Sequence, residues 1–259
     1  MKNAREISTV VKVQAIIEKF FNIILLVVAL LFLIVGVYAL VDNRLIVKNA
    51  EIPDYFKQSA MADREYPDIR ELQKTNPDIV AWLTLDNTPI DYPITMTKDN
   101  VKYLAADYAG KHSIAGNPFV DYRNNFLHDD YTIIYGHRMN HKKMFGSLTE
   151  YATPSYLQQH QTGSITTVEE TYSLEVLLYS VENVMDTKVY DLVENRNGGN
   201  DAILKDLSSS ATAINGKYQR EDLLTKETRD WKLLLLSTCD KDSRHYRDVL
   251  LLRVLTESK

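Results

Sequence analysis

From Phe20 to Val41 the chain reads FFNIILLVVALLFLIVGVYALV, with no charged residue. At ~1.5 Å rise per residue, a helix of about 20 residues spans the roughly 30 Å hydrocarbon core of a bilayer. The stretch is apolar all round and not along one stripe, which argues against the core helix of a soluble domain. Val37-Tyr38-Ala39 resembles a leader-cleavage site, but the apolar core is longer than the usual ~7–15 residues of a leader. An uncleaved anchor is therefore expected. Lys2, Arg5, Lys12 and Lys19 precede it, which predicts a cytoplasmic N-terminus and an extracellular remainder: a single-pass protein of the cell membrane.

This divides the chain into a cytoplasmic segment (1–19), a transmembrane signal-anchor (20–41), a connector with N-terminal helices (42–75) and a main domain (76–259). Asp42 to Asp54 reads as a polar connector. Tyr55 to Thr75 reads as helical, broken near Pro67; Asp68 is a candidate N-cap, and Asn76-Pro77 ends the run. From Ile79 the pattern changes to short strands between turn signals. Candidates are Val80–Leu85, Ile90–Ile94, Pro118–Tyr122, Tyr131–Tyr135, Gly163–Thr167, Leu174–Val181, Lys232–Thr238 and His245–Leu255. Such spacing predicts an all-β sandwich or barrel. One later helix is expected over Asn200–Leu207, entered through Asn197-Gly198-Gly199. A net charge of -5 offers no footprint for nucleic acid, and none is expected as a partner.

Cys239 is the chain's single cysteine and follows the run Lys232-Leu233-Leu234-Leu235-Leu236-Ser237-Thr238. In an exported protein a lone thiol cannot form an internal disulfide, so a reactive role becomes the leading reading. A thiol is activated by a nearby base or cation. Of the six histidines, His137 is placed like a catalytic group, after the apolar strand Tyr131–Tyr135 and a glycine that permits a tight turn. His137 and His141 have the i, i+4 spacing of a metal pair. The intervening residues hold no glutamate, however, and no metal or cofactor is expected. Arg244 and Arg247 both lie close enough after the cysteine to offer fixed donors to a developing oxyanion. A Ser-His-Asp arrangement would use Ser237 with Asp121 or Asp129, but the G-x-S-x-G elbow is missing.

Several motifs occur in one order. Leu236-Ser237-Thr238-Cys239-Asp240 is similar to the T-L-S-T-C signature of the sortases, and Leu235 departs from it by standing where threonine is usual. Ile134-Tyr135-Gly136-His137-Arg138-Met139, with Met144-Phe145-Gly146-Ser147-Leu148 behind it, resembles the class B run. Ala81-Trp82-Leu83, Ile90-Asp91-Tyr92-Pro93 and Phe119-Val120-Asp121-Tyr122-Arg123-Asn124 match further class B landmarks. The resemblance covers roughly residues 68–256.

It implies a mainly β fold: an eight-stranded sortase barrel with N-terminal helices and an extra helix before the cysteine strand. It implies Cys239 as nucleophile, His137 as general acid/base and Arg247 as transition-state stabiliser. Ser237 and Thr238, just before the cysteine, are expected to contact substrate. Family members cut a C-terminal sorting signal of a secreted protein after threonine. They pass the acyl group to an amine of a cell-wall precursor or a pilin, at a Gram-positive surface. A cysteine hydrolase using water and a non-catalytic surface domain remain as rivals.

Strand alternation separates the two arginines. A hairpin centred near Ser243 would set Cys239 opposite Arg247. It would put Leu250, Leu252 and Val254 in the barrel and Arg247, Val249 and Leu251 on an outer groove face, with Arg244 in the loop.

Overall fold

Thr162–Thr167 is paired along both of its edges, and this closes a β-sheet into a barrel. The computed structural model describes residues 2–61, 67–192, 200–238 and 245–255. The strands are β1 (Ile79–Leu85), β2 (Asp91–Thr95), β3 (Phe119–Val120), β4 (Tyr131–Gly136), β5 (Thr162–Thr167), β6 (Thr171–Asn183), β7 (Ala213–Ile214), β8 (Lys232–Thr238) and β9 (Tyr246–Leu255). Eight of them form the ring β5-β1-β2-β3-β4-β8-β9-β6, which returns to β5; β7 hangs on the far edge of β6. All eight ring strands coincide with sequence candidates to within a few residues. The two-residue β7 is too short to show alternation and was not predicted.

The chain divides into two compact units, 1–45 and 46–259. A single helix, α1, runs over Lys2–Asn49. Its Ile16–Asp42 stretch is long and apolar enough to cross a membrane. The helix continues through Asp42–Asn49, where a connector was expected, because no proline or glycine interrupts it before Pro53.

In the second unit, α2 (Asp54–Met61) and α3 (Ile69–Gln73) precede the barrel, and α4 (Pro154–Gln159) lies between β4 and β5. The Asp68 side chain caps α3 by accepting from the Arg70 backbone N–H at 3.0 Å. Ile52, Phe56, Ile69 and Leu72 are buried in the same core as Trp82 and Leu83 of β1. The N-terminal helices thus belong to the barrel's packing unit, which reaches back to Ile46.

Two cores share the sheet. Ile134 of β4, Leu234 and Leu236 of β8, and Leu250, Leu252 and Val254 of β9 fill the barrel interior. Ile133, Leu233, Leu235, Val249 and Leu251 point to the opposite face, where Ile203, Leu204 and Leu207 of α5 (Asp201–Ser210) cover them. The i, i+1, i+4 spacing gives α5 one apolar face. A strand buried on both sides needs no polar alternation, which is why β8 reads as four consecutive leucines. Val249 and Leu251, expected on an open groove, are fully buried under this second core. The entry turn Asn197-Gly198-Gly199 lies outside the described residues.

Leu235, the departure from the signature, is likewise fully buried beside α5. Leu235→Thr is expected to lower unfolding free energy by roughly 1–3 kcal/mol, because it removes packing and buries a hydroxyl. A urea titration measures it; an unchanged midpoint would contradict the two-faced burial.

Candidate active site

The apolar cover stops at the last residues of β4 and β8 and the first residues of β9. There a groove of about 230 Å³ opens, lined by His137, Ser237, Thr238 and Arg247 together with Leu104, Phe119 and Tyr135. Its floor follows from register. β4 and β8 are parallel, with Tyr135 beside Ser237 and Gly136 beside Thr238. β8 and β9 are antiparallel, with Ser237 beside Val249 and Leu236 beside Leu250. This is the hairpin register expected from the sequence, centred on Ser243. Alternation then sends Tyr135 and Ser237 to the outer side, and His137 and Arg247 continue that set. Cys239, Arg244 and the turn Asp240-Lys241-Asp242-Ser243 lie outside the described residues. By covalent connection Cys239 follows Thr238, which lines the groove.

His137 is held from three sides. Its Nε2 lies 2.7 Å from the Leu104 carbonyl oxygen. A carbonyl only accepts, so Nε2 carries the proton, and Nδ1 is the position left to exchange one. The His137 carbonyl accepts from the Phe145 backbone N–H at 3.0 Å. Gly116, at φ +63°, packs against the ring; a Cβ there would come within 2.8 Å of His137 Cδ2. Gly136 is extended strand and not the tight turn expected. It is needed because the Phe145 ring would stand 2.6 Å from a Cβ at that position. The loop bearing Leu104 is itself pinned: the Tyr103 hydroxyl accepts from Asn76 Nδ2 at 2.7 Å and donates to Asp78 at 2.9 Å.

Ser237 is fully buried, and its hydroxyl lies 2.9 Å from the Tyr190 hydroxyl. Behind it Asp121, also fully buried, receives Arg123 Nε at 2.9 Å, Arg123 Nη2 at 2.7 Å and the Tyr135 hydroxyl at 3.0 Å. Arg123 Nη2 reaches the Tyr190 carbonyl at 3.3 Å, and the Tyr135 and Tyr190 rings stack. Burial pushes the Asp121 carboxyl up. The hydrogen bonds and charge of Arg123, with the Tyr135 hydroxyl, outweigh this and leave it below the usual carboxylate value. Burial first, then the Asp121 charge, drives Tyr135 upward, so its hydroxyl stays a donor. The sequence reading missed this brace. Its signal was the Asp121-x-Arg123 spacing inside a recognised motif.

Asp121 is thus engaged with Arg123 and Tyr135, and Asp129 accepts from Asn124 and Asn125; no described hydrogen bond links either carboxylate to His137. The Ser-His-Asp arrangement is not assembled among the described residues. His141 sits exposed in a 3-10 turn at φ 58°, so the i, i+4 spacing with His137 is not on a helix. Arg247 is half-buried. Among the described residues its guanidinium makes one long bond, 3.4 Å to the Tyr246 carbonyl, and the residue lines the groove.

No family model matches the chain. Sortase B of Listeria monocytogenes is 34% identical over 195 residues, which cover 73% of this chain and 75% of that protein. The chain belongs to the class B sortases. It is a cysteine transpeptidase. Solved sortases share its barrel. A Staphylococcus aureus sortase B–substrate complex superposes with a TM-score of 0.63 at 24% identity, over 78% of this chain and 92% of that one. A Streptococcus pyogenes class B sortase involved in pilus biogenesis gives 0.63 at 24%, over 72% and 97%.

Two outcomes follow for this sortase. Gly116→Ala, which adds a methyl group to a left-handed residue against the histidine ring, is expected to cost roughly 1–2 kcal/mol of stability and at least about 10-fold in turnover. Unaltered turnover in a peptide-transfer assay would show that the ring tolerates displacement. Asp121→Asn is expected to lose roughly 1–3 kcal/mol, since Arg123 is part-exposed and softens the loss. The folded-state pKa of Asp121 is depressed, so this contribution is present above the unfolded carboxylate pKa and fades as pH falls through the folded value. Thermal melts from pH 7 down to pH 3 should therefore converge for wild type and variant at the acid end.

Proposed function

We propose that this sortase is anchored in the cell membrane by the apolar stretch of α1, N-terminus inside, and joins a secreted protein to the cell wall. In this reading it cleaves a C-terminal sorting signal after threonine. The Cys239 thiolate attacks the threonine carbonyl, and Arg247 stabilises the oxyanion. The C–N bond breaks as His137 gives its proton to the leaving amine, and a thioester forms. An amine of a cell-wall precursor then attacks the thioester, losing its proton to His137, and Cys239 leaves as thiolate. Ser237 and Thr238 line the substrate path.

The observation that carries the reading is strand register. Gly136 pairs with Thr238, and Ser237 with Val249. Each ladder, continued by one residue in β4 and two in β9, would align His137, Cys239 and Arg247 in one row on the outer face of three adjacent strands. A thiol between an imidazole and a guanidinium has the surroundings that favour thiolate. The lysines and arginine ahead of Phe20 support the orientation of the anchor.

The likeness to a sortase involved in pilus biogenesis favours one second reading, in which the acceptor is a lysine amine of a pilin. Sorting-signal peptides incubated with the protein and either precursor-like amines or a pilin lysine, and read by mass spectrometry, separate the two. They also separate transfer from hydrolysis, which gives the free threonine acid. Cys239→Ala should abolish cleavage and transfer, and hydroxylamine should release a threonine hydroxamate from the wild type. His137→Ala should lose at least about 10²-fold, and Arg247→Lys should remain impaired because it lacks the planar fork. Normal transfer by Cys239→Ala would end the reading.

A further inference from the structure

Beneath the outer row lies a second row on the inner face of the same strand ends. Alternation sends the residues after His137 and Arg247 inward: Arg138, two residues past β4, and Asp248 near the start of β9. Thr238 of β8 stands between these strands and is buried. Asp248 is 4% exposed. Its Oδ1 accepts from the Tyr179 hydroxyl of β6, and its Oδ2 faces Arg138 Nη1 at 3.7 Å. Among the described residues Oδ2 has no hydrogen bond, so Arg138 supplies the charge that faces it. The Arg138 backbone is bridged to Met144, which fixes where the side chain starts. Two opposite charges therefore reach towards each other under the end of the cysteine strand, each one residue from a member of the outer row.

We propose that Arg138 and Asp248 are positioning residues for transpeptidation: their ion pair sets the distance between the ends of β4 and β9, and so the separation of His137 and Arg247 across the cysteine strand. Neither side chain reaches the groove. Asp248 is buried and Arg138 half-buried; an ion pair of this kind contributes little net stability, yet removing Arg138 leaves a buried carboxylate without its counter-charge, so the pair is better suited to fixing geometry than to strengthening a fold. The location fits that role. The pair lies at the ends of three adjacent strands, next to the registers Gly136–Thr238 and Ser237–Val249. A tie between the outer two strands limits their splay at these strand ends. Tyr179 extends the tie to β6, which is paired with β9 along its length.

This inference rests on the transpeptidase reading, and the test keeps the two apart. Arg138→Gln, Arg138→Lys, Asp248→Asn and the double variant Arg138→Gln/Asp248→Asn are compared with wild type in the full chain. Thermal melting, KM and kcat for peptide transfer are measured. Positioning predicts that Arg138→Gln and Asp248→Asn each lower kcat by at least about 10-fold with KM within about twofold. The double variant should be no slower than the worse single one, and Arg138→Lys should recover most of the rate. Multiplicative kcat losses, or losses that follow the fraction unfolded at the assay temperature, would overturn it. Should Asp248→Asn fail to fold, the contrast between Arg138→Gln and Arg138→Lys decides: equal rates in those two variants refute the ion pair. Transfer that survives Cys239→Ala instead refutes the transpeptidase reading.

Discussion

Strand register is the constraint on which the site depends. β4 and β8 run parallel, β8 and β9 antiparallel, and the side chains of all three alternate with a period of two residues. Slipping any one of them by a single position would turn His137, the end of the cysteine strand or Arg247 to the wrong face. The register is protected by what lies further along each strand. Leu234, Leu236, Leu250 and Leu252 fit only the barrel interior, and Leu233, Leu235, Val249 and Leu251 only the cover under α5. A slip would exchange two apolar sets of different shape and leave polar strand ends in a core. The packed length of the strands thus holds the geometry of their exposed tips.

The groove is the place where one of the two cores runs out. α5 covers the outer face up to Val249 and Leu235. Beyond them the chain presents Ser237, Tyr135, His137 and Arg247, and the wall passes to the loop between β2 and β3, with Leu104 and Tyr103. Polar residues there meet partners in place of leucines: Ser237 with Tyr190, Tyr135 with Asp121, Asp121 with Arg123. A buried polar group without such a partner costs roughly 1–3 kcal/mol, so this brace is what allows the sheet's apolar cover to end.

Much of this was legible in the sequence because strands with turns between them announce themselves locally. The eight ring strands, the Asp68 cap and the hairpin centre at Ser243 all follow from short-range pattern. What failed to show depends on packing between distant segments. Four leucines in a row reveal an apolar strand but not that α5 covers one side of it, so Val249 and Leu251 were read as groove residues. Gly136 was read as a turn because glycine permits one; its reason is the Phe145 ring, which local pattern does not place. Asp121 was weighed as a histidine partner from residue type alone, whereas its actual neighbours are Arg123, two positions on, and Tyr135 on the adjacent strand. The Leu104 carbonyl could not be seen at all, since every residue has one.

That carbonyl gives the loop between β2 and β3 a double office. Leu104 is a wall of the groove, and its carbonyl oxygen lies 2.7 Å from His137 Nε2, while Gly116 of the same loop seats the ring. The wall of the groove and the setting of the imidazole ring are therefore joined in one short covalent segment, without a relay through the barrel, so a displacement of that segment moves both at once.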